Sequence, residues 1–311
     1  MFINFFLDYL YKYFVTFHSV CARQEKALER FGKPIHFIFL GDSHTNSDIN
    51  PKYIPYSFNF ASPGENYIQN YFKLKYLLEK TGLPIKYAAL PIDLHSFSSL
   101  KSERIWEKHD FFWVKYVDYY DVGLNAKKLL LFLKKYILGK FLSYCGNFDY
   151  VYLSLSNKEK VRLEINGFLP MPGNFDQKSL KKKKRFARKR VRQHLHLREI
   201  LSPIAVFYFK KILSICEKNK IKLILIRYPI AKLYLHYAKM YVDVNRFYNT
   251  INNFTLNYNN IILLDYHDAF FSMEHLFCNQ DHLNIKGSTV LTRMLKDDLK
   301  TRLVLPGKRD N

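Results

Sequence analysis

Two short stretches carry residues suited to nucleophilic chemistry. In "PIHFIFLGDSHT", residues 34–45, an apolar and aromatic run stops at Gly41, Asp42, Ser43 and His44. A serine that leaves a strand through a glycine turn presents its hydroxyl and its own backbone N–H on the same side, which suits a nucleophile. The hydroxyl is a weak nucleophile until a base takes its proton, normally an imidazole held in one tautomer by a further acceptor. The candidate base is His282, far downstream in "FCNQDHLNIKG". Asp42 and Ser43 equally suit the cap of a helix starting at 44–47, and His282 the entry of a final helix capped by Asn284.

The elements that would position these residues follow from periodicity. Residues 22–31 read as a helix, 35–40 as a buried strand and 57–60 as a short second strand. Tyr67, Tyr71, Leu74 and Leu78 recur at helical spacing over 66–80, before the third strand "IKYAALPI". Downstream, "AVFYFKKILSICEKNK" reads as a helix feeding "IKLILIRYP", a long helical segment over 230–256 feeds "IILLDY", and a last helix begins near Ile285. Apolar strands alternating with helices of this length imply a parallel sheet covered on both faces. Ligands of such sheets bind beyond the carboxyl ends of the strands, where both Ser43 and His282 fall.

The rest of the chain is less regular. Residues 97–200 read as an inserted lid or subdomain, with "NGFLPMPGN" and a basic segment over 178–198 that is helical or disordered. The 311 residues carry 49 Lys and Arg against 27 Asp and Glu, a net charge of +22, which favours an anionic partner. Aromatic residues for base stacking are nearly absent from the basic run, so nucleic acid is disfavoured, and the bland reading of the run is a solvated face. At the N-terminus Asn4, Asp8, Lys12 and Thr16 draw a polar stripe along an apolar helix within 1–31, which suits a membrane surface or the protein's own core better than a membrane span. Together with the basic segment it would make a two-part anchor on an acidic lipid surface. No removable signal peptide is read. Cys21, Cys145, Cys216 and Cys278 are far apart and read as buried thiols; His44, His95, His194, His196 and His267 have no metal-ligand spacing, so no metal or cofactor is expected.

"FLGDSHT", "NFASPGENY" and "DHLNIKG", in this order, resemble the SGNH/GDSL hydrolase superfamily, above all its envelope-associated members that add or remove acyl groups. The resemblance covers roughly 33–96 and 200–300. It implies a three-layer α/β/α sandwich of flavodoxin-like type over 32–300, with a tail at 301–311. It further implies Ser43 as nucleophile, Gly64 as a backbone oxyanion donor and His282 as base; Asp42, His44 and Asn66 are further candidates about the substrate. Two positions depart from the family pattern. Asn279 stands where the family has an aspartate three residues before the histidine. "LPIDLHSF" offers Asp93, His95 and Ser96 where the family has an asparagine donor, for which Asn66 is the substitute. Asp281 or Asp265 would have to supply the missing carboxylate, although adjacent side chains usually diverge and Asp281 by that argument is a surface or capping residue.

The expected function is therefore a serine esterase or O-acyltransferase on an ester-bearing small molecule or polysaccharide. It would be membrane-associated, in the cell envelope, with the cytoplasm as the alternative location. A non-catalytic protein of the same fold, holding an anionic glycan, membrane or nucleic acid on its basic surface, is the second reading, and Asn279 favours it.

Overall fold

The computed structural model describes residues 2–14, 20–102, 163–195 and 201–302, together with 112, 115–117, 130, 133 and 134. Most of the expected insertion, Thr16, Cys145, His196 and the tail beyond 302 lie outside them. The elements run α1 (Phe2–Phe14), α2 (Val20–Arg30), β1 (Phe37–Phe39), α3 (Ser43–Asp48), β2 (Ser57–Asn59), α4 (Tyr67–Lys80), β3 (Tyr87–Pro91) and α5 (Ser99–Ser102). Then follow α6 (Leu180–His194), α7 (Pro203–Lys218), β4 (Lys222–Arg227), α8 (Lys232–Ala238), α9 (Val244–Thr255), β5 (Ile261–Asp265) and α10 (Ile285–Arg302).

The five strands form one parallel sheet in the order β2-β1-β3-β4-β5. Ile38 pairs with Phe58 on one side and Ala88 on the other, and Leu225 pairs with Leu263. Because successive strand residues face opposite ways, the continuous apolar runs feed two cores. Ile38, Phe58, Ala88, Leu223 and Leu225 pack with α4, α7 and α9. Phe37, Phe39, Ala89, Ile224 and Ile226 pack with Leu291, Leu295 and Leu299 of α10. The protein is thus a three-layer α/β/α sandwich.

One expectation needs correction. The helical segment over 230–256 is two helices, because Asp243 accepts the Arg246 N–H at 3.0 Å and starts a new one. The basic segment is an ordered helix over 180–194, anchored through buried Ala187 and Val191. Helix α1 buries Asp8, which pairs with Lys12 at 2.6 Å, and Tyr11, while Ile3, Phe5, Phe6, Tyr9 and Tyr13 are more than half exposed. No described helix is long and apolar enough to cross a membrane.

Candidate active site

Two residues beyond β1 the chain turns at Gly41, whose φ of +142° and close approach to Pro91 leave no room for a Cβ. The turn delivers Asp42 as the N-cap of α3, its carboxylate accepting the His44 N–H at 2.9 Å. Ser43 is therefore the first residue of a helix, with an N–H that the helix itself does not use. On the next strand Asn59 donates to the Thr45 and Ile49 carbonyls at 2.7 and 2.9 Å, holding α3 down onto β2. Asp48, at the end of α3, accepts the Leu283 N–H at 3.0 Å and so ties this helix to the loop that carries His282.

That loop brings the imidazole to the serine. His282 Nε2 lies 2.9 Å from Ser43 Oγ, although the two are 239 residues apart. His282 Nδ1 faces two acceptors, Asn279 Oδ1 at 3.2 Å and Asp281 Oδ1 at 3.4 Å. Asn279 Oδ1 makes the shorter contact with the imidazole and also accepts the N–H groups of Asp281 and His282, both at 3.0 Å. Asp281 brings the charge. The expectation of a surface carboxylate fails here: the Asp281 side chain is wholly buried among His282, His44, Arg190 and His194. Burial alone would raise its carboxyl, but the charge and hydrogen bond of His282, then His44 and His194, outweigh it and hold Asp281 well below the usual carboxylate range.

The other sequence candidates fall into place around this pair. Gly64, at φ +73°, lines the same cavity as Ser43, and its N–H donates to no group among the described residues. Asn66 is not an oxyanion donor. Its oxygen caps α4 at the Ile68 and Gln69 N–H groups, and its amide donates to the Lys101 carbonyl at 3.1 Å. His44 is not among the residues that line this cavity; it is buried beside the serine with Nδ1 donating to Asp93 at 2.8 Å. Burial would lower the His44 imidazole, yet Asp281 and Asp93 raise it well above its ordinary value. Asp93 stands where the family pattern has a donor and is spent as an acceptor, taking the Tyr228 N–H at 2.9 Å besides His44. Asp265 is engaged with Arg227 at 2.5 Å and His267 at 2.9 Å, and does not reach His282.

Sequence reasoning missed the groups that the insertion contributes. Arg190 Nε of α6 donates to Asp281 Oδ1 at 3.2 Å, and His194 stacks on His95 with ring centroids 4.5 Å apart. Burial, then His95, holds the His194 imidazole well below the ordinary histidine range. Lys101 and His95 Nε2, the latter at 2.8 Å, both donate to Asp42; burial raises that carboxyl, but Lys101 and His95 outweigh it and depress it strongly. Leu169–Pro172, numbered 169–172, form another wall, docked by the Leu169 N–H on the Asn46 carbonyl at 3.1 Å. The resulting cavity is about 530 Å³, with Ser43 and His282 at its surface and Arg190, Gln193 and His194 on its rim.

Asp42, His44 and His95, and likewise His44, Asp281 and His282, bring cation-ligating atom types within 4.8 Å of one another. Imidazole–carboxylate contacts already engage both groups, at 2.8 Å for His95 with Asp42 and 3.4 Å for His282 with Asp281. Chemically, the arrangement offers a hydroxyl, a base with a carboxylate behind it, and two backbone donors, Ser43 and Gly64.

Comparisons with known proteins add little to this geometry. A family model whose description states no activity matches residues 177–304, less than half of the chain. No curated protein gives a significant match. A solved structure from Streptococcus pneumonia, whose name connects it with platelet activating factor, is similar at 10% identity and a TM-score of 0.40, over 90% of this chain and 91% of that one.

Proposed function

We propose that this chain is a serine esterase or O-acyltransferase of the SGNH/GDSL type. The observation that carries the reading is the 2.9 Å contact between Ser43 Oγ and His282 Nε2 in a cavity that Gly64 also lines. Ser43 Oγ attacks the ester carbonyl carbon while His282 Nε2 takes the hydroxyl proton. Asp281 stabilises the resulting imidazolium, and the Ser43 and Gly64 N–H groups meet the oxyanion. Collapse breaks the bond to the alcohol oxygen, which leaves with the proton from His282, and an acyl group stays on Ser43. Water, or a sugar hydroxyl, then attacks that acyl group by the same proton route in reverse. The non-catalytic alternative leans on Asn279; the Asp281 carboxylate 3.4 Å from His282 Nδ1 supports the catalytic reading instead.

A fluorophosphonate probe tests the reading directly: the wild-type protein should be labelled and Ser43→Ala should not. Equal labelling of the two would sink it.

The outward apolar face of α1 supports association with a lipid surface. Replacing Phe5, Phe6 and Tyr9 by serine should remove co-sedimentation with phosphatidylglycerol vesicles. Unchanged sedimentation would show that this face does not hold the protein on lipid.

A further inference from the structure

Helix α6 has two faces, and the site accounts for one. Ala187 and Val191 are buried, while Arg190 and His194 turn toward Asp281. The opposite face carries Lys181, Lys184, Arg185, Arg188, Lys189 and Arg192, which line a second concavity of about 690 Å³. Among the described residues no carboxylate contributes to its lining. Among the described residues the ion pairs of α6 are made by Lys183 with Glu274 at 2.5 Å and by Arg190 with Asp281, with the His194 ring 3.8 Å from the same carboxylate, so none of these six cations has one. Like charges three and four residues apart on a helix repel, and an ordered helix that keeps six of them is relieved most by a partner with repeating negative charge.

The concavity is also placed for use. Gln193 lines both it and the cavity of Ser43, so the cationic groove adjoins the candidate active site at the C-terminal end of α6. From Lys181 to Arg192 the helix rises roughly 16 Å, long enough for several consecutive anionic groups. We propose that this groove binds a phosphate-bearing polymer, and that an ester carried by that polymer is what enters the Ser43 cavity. The second half of this assignment rests on the acyl-transfer reading; the first half does not. Three arginines among the six cations suit phosphate oxygens, which a planar guanidinium engages two at a time. A bilayer is a poorer match, because Leu180 is the one large apolar residue well exposed on α6, and membrane-lying helices need an apolar face beside the basic one. A base-stacking strand is also a poorer match, since no aromatic residue among the described residues lines the groove.

The test uses the full chain and inorganic polyphosphate as the probe. Lys184→Gln, Arg188→Gln and Arg192→Gln combined change exposed positions only, so thermal unfolding should stay at the wild-type temperature. The triple variant should bind labelled polyphosphate at least tenfold more weakly at low salt. Its slope of log affinity on log salt should be shallower by about 2, roughly 0.7 for each lost contact. Bound polyphosphate should slow fluorophosphonate labelling of Ser43 in the wild type and not in the variant, while hydrolysis of a small neutral ester is equal in both. Wild-type affinity and salt slope in the triple variant would overturn the groove. So would wild-type binding to phosphatidylglycerol vesicles, lost in the variant, with no binding to polyphosphate. Absence of any Ser43 labelling, with the difference in polyphosphate binding intact, would overturn the acyl-transfer reading and leave the groove assigned.

Discussion

Ser43→Ala and His282→Ala should each lower the turnover of a small ester by roughly 10⁶-fold, and the double variant should be no worse than either. The two residues act as one unit: without the imidazole the hydroxyl keeps its proton, and without the hydroxyl the imidazole has nothing to activate. The residual rate belongs to the Ser43 and Gly64 N–H donors, which both alanine variants keep. Neither change should disturb the fold much. The cap of α3 is Asp42, and the loop bonds from Cys278 N–H to the His282 carbonyl and from His282 N–H to Asn279 are made by backbone atoms of residue 282. Urea unfolding should therefore show a loss of about 1 kcal/mol for Ser43→Ala, of the order of one hydrogen bond, and a larger one for His282→Ala, which takes a partner from the buried Asp281 carboxylate. Steady-state kinetics on a small ester check the prediction. Wild-type turnover in either variant would dismiss the pair, and losses that multiply in the double variant would mean that the residues act separately.

The sheet was legible because each strand is a short apolar run with a break at either end. "IHFIFL" stops at Gly41 and "IKLILIRYP" at Pro229, and fully buried parallel strands need no alternation to be seen. Ser43 and His282 were legible because both follow strands at the edge where such sheets bind ligands. The break at 239–243 was missed because apolar residues keep helical spacing across it, and Asp243 before Val244 was the signal that a new helix starts. Arg190 and His194 were hidden in a run that looks uniformly basic. Yet Ala187 and Val191, four apart, mark the buried side of that helix, and positions 190 and 194 lie on the same side. Asp281 was misread for a physical reason. Adjacent side chains diverge in helices and strands, but 279–282 is a turn in which one asparagine oxygen collects both following N–H groups and folds the two side chains together.

Asp281→Asn should reduce turnover by roughly 10⁴-fold, the scale seen when a triad carboxylate becomes an amide. Asn279→Ala should cost far less, about tenfold, because it loosens the turn without removing the charge that stabilises the imidazolium. If Asn279 were the residue that orients His282, the order of the two effects would be reversed, and kinetics of the two variants side by side decide the matter. The same aspartate also contributes to stability. It is wholly buried and contacts His282, His44, Arg190 and His194, so its loss leaves buried groups without their counter-charge, a change that typically costs about 3–5 kcal/mol. Its folded carboxyl is held well below the unfolded value, so the contribution is present above the unfolded value, near 3.9, and disappears as pH falls through the folded one. The stability gap between wild type and Asp281→Asn should therefore be full at pH 6 and close progressively below about pH 4. Urea unfolding across that range measures it. A gap that stayed constant down to the acid limit would mean that the carboxylate is not the group responsible.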